Sequence, residues 1–189
     1  MRYANKISAF RILTIPFLVA TILYYTPQKD YLRVIALVIF FLAIVSDVLD
    51  GLVARIYKEK TKLGPILDPL ADKLLLMSAY IFLFARREFF LVKLPLSVVL
   101  VVISRDAIIL LGTFLIFLVR QDIKIIPTSW GKLTTFFQMS TIVVILLEFK
   151  YSHFLWNLAI LFTVISGIDY IRRGFNLFTL NDDNITNHK

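Results

Sequence analysis

Cysteine is absent from this 189-residue chain, so disulfides, thiolate metal sites and cysteine nucleophiles are all excluded. Histidine is nearly absent: His153 follows an apolar segment and His188 lies in the polar C-terminal stretch, which rules out a histidine-rich metal site. Any metal must then be held by carboxylate, carbonyl or water oxygens, a donor set that favours Mg2+, Mn2+ or Ca2+ over Zn2+. No basic run is interleaved with stacking aromatics, as a nucleic-acid groove requires, so no nucleic-acid partner is expected. The formal charge of +8 is read against membrane topology instead. Internal repeats and low-complexity segments are missing too. No cleavable signal peptide is expected, because the first apolar run starts near Ile12, contains Pro16 and is not followed by a small-residue cleavage site.

What remains is strongly apolar. Hydrophobic residues make up 59% of the chain, and the mean hydropathy is +0.80, far from an ordinary soluble domain. Six apolar stretches can be drawn, at about 10–26, 32–56, 67–86, 94–119, 130–148 and 154–172, each near the roughly 20 residues a crossing needs. Thr26-Pro27, Gly64-Pro65, Pro95 and Pro127 punctuate them. The expected fold is all-α: one domain over 1–189, a polytopic integral membrane bundle of six transmembrane helices. Met1 to Ile7 mix basic and apolar side chains and are expected to form a short N-terminal interfacial helix. Residues 181–189 are expected to be a frayed polar tail. Six crossings put both termini and loops 2–3 and 4–5 on one side, which collects 14 of the 21 basic residues against 6 on the other, with Arg105 inside the fourth stretch. Cytoplasmic loops carry the excess of Lys and Arg, so that side is assigned to the cytoplasm of a bacterial-type membrane.

Four carboxylates interrupt this lipid-compatible chain on the same side. Asp47 and Asp50 are three apart near the end of the second stretch, and Asp68 and Asp72 are four apart at the start of the third, so each pair shares a helix face. Pro69 fits a first helical turn, where its missing N–H costs nothing. A short loop makes the two helices antiparallel neighbours, and both pairs can converge on one cavity. Acidic side chains in a membrane segment usually mark a functional site. Four charges of one sign need a counter-charge, and two divalent ions roughly 4 Å apart, as in phosphoryl-transfer sites, supply one. Gly51, Ala54 and Gly64 surround the cluster; close helix packing explains small residues there, and so does room for a bulky ligand. Arg55 is a snorkelling boundary residue in isolation, but beside an acidic metal cluster a role on a bridging anionic ligand is preferred.

Asp47-x2-Asp50-Gly51-x2-Ala54-Arg55-x8-Gly64-x3-Asp68-x3-Asp72 resembles, at every fixed position, the signature of the CDP-alcohol phosphatidyltransferases. The resemblance implies a six-helix membrane enzyme that moves a phosphatidyl group from a CDP-linked lipid to an alcohol and releases CMP. It implies that Asp47, Asp50, Asp68 and Asp72 bind two Mg2+ or Mn2+ ions, and that Asp72 also accepts the proton of the attacking hydroxyl. Asp50, Gly51, Ala54, Arg55 and Thr61 would contact the CDP-lipid. Asn5-x2-Ser8-x2-Arg11-x4-Pro16 is similar to the N-terminal segment of the phosphatidylglycerophosphate and cardiolipin synthase branches, which adds Asn5 and Arg11 to that set. Gly131-Lys132-Leu133-Thr134-Thr135-x2-Gln138-Met139 and Ser166-Gly167-Ile168-Asp169-Tyr170 resemble later segments of the glycerophosphate branch. That branch carries Arg-Glu in its fourth helix and a second Arg about seven residues on. Here the pair is Arg105-Asp106 and position 112 is Gly, which is closer to the cardiolipin branch.

Arg105 and Asp106 lie inside an apolar helix, where adjacent side chains point apart and pair poorly. Arg105 is therefore preferred as a ligand of the acceptor phosphate; Lys132 alone reads equally as a topology anchor, and the resemblance gives it the acceptor-phosphate role as well. Arg120 and Lys124 are taken as interface charges, Asp169 as structural, and Trp130 and Trp156 as interface packing. The expected substrates are CDP-diacylglycerol and glycerol 3-phosphate, with phosphatidylglycerol and a cardiolipin product as the alternative. A cation transporter also holds intramembrane acids, but carboxylates at helix ends with Arg55, Arg105 and Lys132 nearby suit an organic anion better. A scaffold protein has no reason to bury four carboxylates. Beyond lipid, the default assembly is a twofold homodimer.

Overall fold

A computed structural model describes the backbone of residues 3–57, 64–120 and 129–186, and the side chains of residues 10–46, 70–112 and 129–172. Among these residues there are six α-helices and no strand: α1 Tyr3–Leu23, α2 Tyr31–Tyr57, α3 Gly64–Ala85, α4 Leu96–Arg120, α5 Ser129–Leu146 and α6 Ser152–Thr186. Short 3-10 turns, Pro27–Lys29 and Arg87–Phe89, sit in the α1–α2 and α3–α4 connections.

Three expectations about elements are corrected. No separate interfacial helix precedes α1, which runs unbroken from Tyr3 with Pro16 inside it; nothing between Ile7 and Phe10 breaks a helix, so the change in polarity there does not end it. The polar tail is helical as far as Thr186, because once a helix is nucleated each further residue adds a backbone hydrogen bond whatever its side chain. Pro69 lies one turn beyond the start of α3, and Pro65 takes the first-turn place instead.

Contacts between helices give their directions. Arg11 pairs with Asp72, and Arg86 Nη2 donates to the Tyr25 carbonyl at 2.9 Å, so α1 and α3 run parallel. Arg105 meets Ser166 and Tyr170 Oη approaches the Ile109 carbonyl at 3.5 Å, so α4 and α6 run parallel as well. α1 packs along both α2 and α3, α5 along α6, and α4 against α6 and α3. Among the described residues α1 is thus the common partner of α2 and α3, which are not themselves an extensively packed pair.

Apolar side chains fill the centre: Leu18, Ile22, Phe40, Leu76, Tyr80, Val98, Val102 and Ile142 are buried, with Ala36, Ala43, Ala79 and Ala159 letting backbones approach. The outside is apolar too. Leu13, Phe17, Leu111, Phe136 and Phe154 are each more than 60% exposed, a surface that water would not tolerate over so wide an area. Hydroxyls along the helices turn inward onto carbonyls, Thr134 Oγ1 to Trp130 and Phe162, Thr141 Oγ1 to Phe137 and Thr163 Oγ1 to Ala159, which satisfies them without water. By length and composition, Ser152–Arg172 of α6 can cross a membrane; Phe10–Leu23 and Tyr31–Ser46 are shorter apolar helices.

The ends of α1, α3 and α5 and the start of α2 share one pole, closed by Arg33, which donates to the Leu146 carbonyl at 2.6 Å, and by Tyr25 stacked on Phe90 with centroids 4.5 Å apart. Arg11, Asp72, Lys73, Arg105 and Asp106 lie along the helices away from this pole.

Candidate active site

Position along the helices places Asp47, Asp50, Gly51, Ala54 and Arg55 in the last turns of α2 and Asp68 in the second turn of α3. Their side chains, and that of Asn5, lie outside the described residues, as does Thr61 altogether. Among the described residues no three His, Cys, Asp or Glu come together; of the four aspartates only Asp72 is among them. The donor set the helices carry is all carboxylate, which fits a hard divalent cation and no softer metal.

Asp72 is the described centre of this pole. Arg11 Nη1 donates to Asp72 Oδ1, and Arg11 is almost wholly buried whereas Asp72 is 22% exposed. Arg11, expected on the CDP-lipid, thus pairs with Asp72, the residue expected to accept the proton. An α1 arginine meets an α3 aspartate here because the two helices run side by side in the same direction.

One residue on, Lys73 turns the other way. Its Nζ donates to Asp106 Oδ1 at 2.9 Å, and Arg105 Nη1 donates to the same oxygen at 2.7 Å. Arg105 Nη2 then reaches Ser166 Oγ on α6 at 2.6 Å. Asp106 is fully buried, and Lys73 and Arg105 are more than nine-tenths buried. The expectation that adjacent Arg105 and Asp106 pair poorly is overturned: the guanidinium stem is long enough to fold back onto its neighbour's carboxylate. A charged network consequently ties α3, α4 and α6 together. Sequence reasoning gave neither Lys73 nor Ser166 a site role, although Ser166 stands in a family-like segment; the available signal was an ionisable residue on each of two apolar helices, since each needs a partner.

Arg105 also lines a groove of about 360 Å3 between α4 and α6, with Ser104, Thr163, Gly167 and Tyr170 among otherwise apolar neighbours. Lys132 lies in the first turn of α5 and is exposed; no described hydrogen bond or ion pair joins it to Arg105. Trp130 is partly exposed and stacks toward Phe162, with centroids 6.3 Å apart. Lys124 and the Arg120 side chain lie outside the described residues.

The family model described as CDP-alcohol phosphatidyltransferase matches residues 1–165, most of the chain. The chain belongs to this family. It is a transferase of the CDP-alcohol phosphatidyltransferase type, a family that is membrane-associated and generally dependent on divalent metal. It is 34% identical over 176 residues to the probable phosphatidylglycerophosphate synthase of Mycobacterium tuberculosis, covering 90% of this chain and 80% of that one. It is 32% identical over 162 residues to the CDP-diacylglycerol–glycerol-3-phosphate 3-phosphatidyltransferase of Haemophilus influenzae, covering 86% and 83%. The Aquifex aeolicus protein of the same name is 29% identical over 186 residues, 94% and 98% of the two chains.

Proposed function

We propose that this phosphatidyltransferase makes phosphatidylglycerophosphate, transferring the phosphatidyl group of CDP-diacylglycerol to glycerol 3-phosphate with release of CMP. The observation that carries the reading is similarity over nearly the whole chain to proteins named for that acceptor. The same names disfavour phosphatidylglycerol as acceptor and cardiolipin as product. A phosphomonoester carries close to two negative charges near neutral pH, and Arg105, with Lys132 at the α5 start, gives this pole basic donors for it.

Asp47, Asp50, Asp68 and Asp72 would hold two Mg2+ or Mn2+ ions, which when bound neutralise the diphosphate and stabilise the departing CMP. Asp72 takes the proton of the attacking hydroxyl, and Arg11 fixes the orientation of that carboxylate from α1. Asp50, Gly51, Ala54, Arg55, Thr61 and Asn5 line the CDP-lipid side. Six helices cross the bilayer, the site pole faces the cytoplasm where both CDP and glycerol 3-phosphate groups are delivered, and a twofold homodimer is the assembly. Incubating the purified enzyme with CDP-diacylglycerol and either acceptor tests the reaction. Phosphatidylglycerophosphate with Mg2+ or Mn2+, and none after exhaustive EDTA treatment, is the expected result; cardiolipin from phosphatidylglycerol, or full activity in EDTA, refutes it.

A further inference from the structure

At the pole closed by Arg33, far along the helices from Asp72, the α3–α4 and α5–α6 connections meet over a cavity of about 460 Å3, a volume typical of small-molecule sites. Lys93 lines it from the first connection and Lys150 from the second, with Ser152 and Trp156 from the start of α6. Ser152 is 1% exposed, and its Oγ has no hydrogen-bond partner among the described residues, although a buried hydroxyl normally finds one. Lys150 is exposed and makes no described hydrogen bond or ion pair. Lys93 commits one of its three donors, to Glu88. The first turn of α6 holds no acidic residue, so the partial positive charge of that helix end also remains available to an anion. One carboxylate, Glu148, stands in the cavity wall, and it is already engaged. Its Oε1 accepts from the Leu91 N–H at 3.4 Å and from Tyr25 Oη at 3.3 Å, and its Oε2 lies 3.9 Å from Arg33 Nε. The same contacts join the two connections, so the cavity walls are held by the protein itself.

We propose that this cavity binds the phosphodiester of an anionic phospholipid, with Lys150 and Lys93 serving the phosphate oxygens and Ser152 Oγ donating to one of them. A lipid fits better than a free anion because the cavity is flanked by apolar side chains. Leu91, Leu96, Phe149, Tyr151 and Phe154 are all exposed, a surface on which acyl chains can lie while the headgroup enters. Trp156 presents an apolar body with a polar N–H, as aromatic residues do where a membrane meets water. An anionic headgroup fits better than a zwitterionic one because the carboxylate that would hold an ammonium is occupied by Tyr25, Leu91 and Arg33. A lipid bound here bridges the α3–α4 and α5–α6 connections, and so stabilises the folded protein by mass action. It adds no group to the reaction, and the inference does not depend on which alcohol is the acceptor.

The test uses the full-length enzyme, delipidated in a neutral detergent and carrying Trp130→Phe, which leaves Trp156 as the single tryptophan. Phosphatidylglycerol, phosphatidylcholine of the same chains and inorganic phosphate are titrated in turn, with Trp156 emission and the thermal midpoint as readouts. Phosphatidylglycerol should change the emission saturably and raise the midpoint. Lys150→Glu should weaken that binding by about tenfold, the scale of one hydrogen bond to a charged group, and Ser152→Ala by about threefold, the scale of a neutral one. Lys150→Arg keeps the charge and should stay within about twofold of the parent. Phosphatidyl transfer by Lys150→Glu in detergent should equal that of the parent, which separates this site from lipid held at the Asp72 pole. Should Ser152→Ala not fold, Lys150→Glu carries the test alone, since Lys150 is an exposed residue of a connection. Equal binding by Lys150→Glu and the parent overturns the proposal, as does equal binding of phosphatidylcholine and phosphatidylglycerol. Inorganic phosphate acting at the same concentrations as the lipid overturns it in favour of a free-anion site. A lipid titration that moves neither Trp156 emission nor the thermal midpoint also overturns it.

Discussion

At the residue scale, neighbouring side chains at the site divide their labour. Asp72 and Lys73 are consecutive on α3 yet face different partners, Arg11 on α1 and Asp106 on α4. One turn of α3 is thereby tied to α1 on one side and to α4 on another. If Asp72 serves the acceptor hydroxyl, Asp72→Asn should cut turnover by about 10²–10⁴-fold while largely keeping affinity for CDP-diacylglycerol. Asp47→Asn, on the helix that carries Gly51, Ala54 and Arg55, should lose both turnover and affinity. Titrating the CDP-lipid into each variant checks this, and equal binding losses would reject the division. Gly112 makes a different kind of demand. A Cβ there would stand 2.6 Å from Tyr170 Oη and 3.2 and 3.3 Å from two ring carbons. Gly112→Ala must therefore push the ring of Tyr170 aside, at a cost of about 1–3 kcal/mol for overpacking. Tyr170→Phe removes the closest of these contacts, so the double variant should regain part of the lost thermal stability; simple additivity of the two changes would show that they do not interact.

At the scale of elements, the pole away from the site is held by charges in the connections. Arg33, near the start of α2, donates to both carboxylate oxygens of Asp30 at 2.6 and 2.8 Å and to the Leu146 carbonyl at the end of α5. Lys93 donates to Glu88 at 2.5 Å across the α3–α4 connection. Hydrogen bonds from Arg33 hold the Asp30 carboxyl below its ordinary value, and those from Lys93 do the same for Glu88. A depressed folded pKa means that stability is fully present above the unfolded values of 3.8 and 4.5 and is lost as pH falls through the lower folded values. The thermal midpoint should be level above about pH 5 and decline as acid protonates the pair, with a shallow slope because both carboxylates are exposed. Arg33→Ala should flatten part of that decline and cost about 1–2 kcal/mol at neutral pH through the lost bond to Leu146. An unchanged acid limb would remove Asp30 as its source. Element boundaries were legible where a breaker and the apolar pattern agreed, as at Pro95 before α4 and Thr26-Pro27 after α1. They were misread where the pattern records the lipid rather than the helix: α6 continues past Arg172 to Thr186, since apolarity ends before the backbone bonding does. The turn into α6 gives no sequence signal either, because the left-handed residue there is Glu148, at φ 54°, rather than glycine. At the site, Arg105 stood out as a charge in an apolar helix, but its bond to Asp106 and the α1–α3 contact through Arg11 depend on which helices pack together. Spacing along the chain does not specify that.

At the scale of the whole molecule, the two poles carry opposite assignments, and the chain's lack of cysteine makes them directly testable. Lys29 and Lys93 belong to connections at the pole closed by Arg33, and Lys132 opens α5 at the other. Alternating helix directions place these groups on opposite sides of any bilayer in which the bundle stands upright. Under the proposed six-crossing arrangement, the excess of basic residues on the Lys132 side would put the site toward the cytoplasm. Because there is no cysteine to label in the parent chain, Lys29→Cys, Lys93→Cys and Lys132→Cys each introduce a single thiol. In intact cells a membrane-impermeant maleimide should label the first two and spare the third, and in inverted vesicles the pattern should reverse. All three positions are remote from Asp72 or exposed, so the variants should fold, and lipid extraction only by detergent should confirm insertion for each. Labelling of Lys29→Cys and Lys132→Cys from the same side would refute the six-crossing arrangement even if the enzyme still made phosphatidylglycerophosphate. Labelling of Lys132→Cys from outside and Lys29→Cys from inside would keep the bundle but invert it, and glycerol 3-phosphate would then have to reach the site from the wrong side of the membrane.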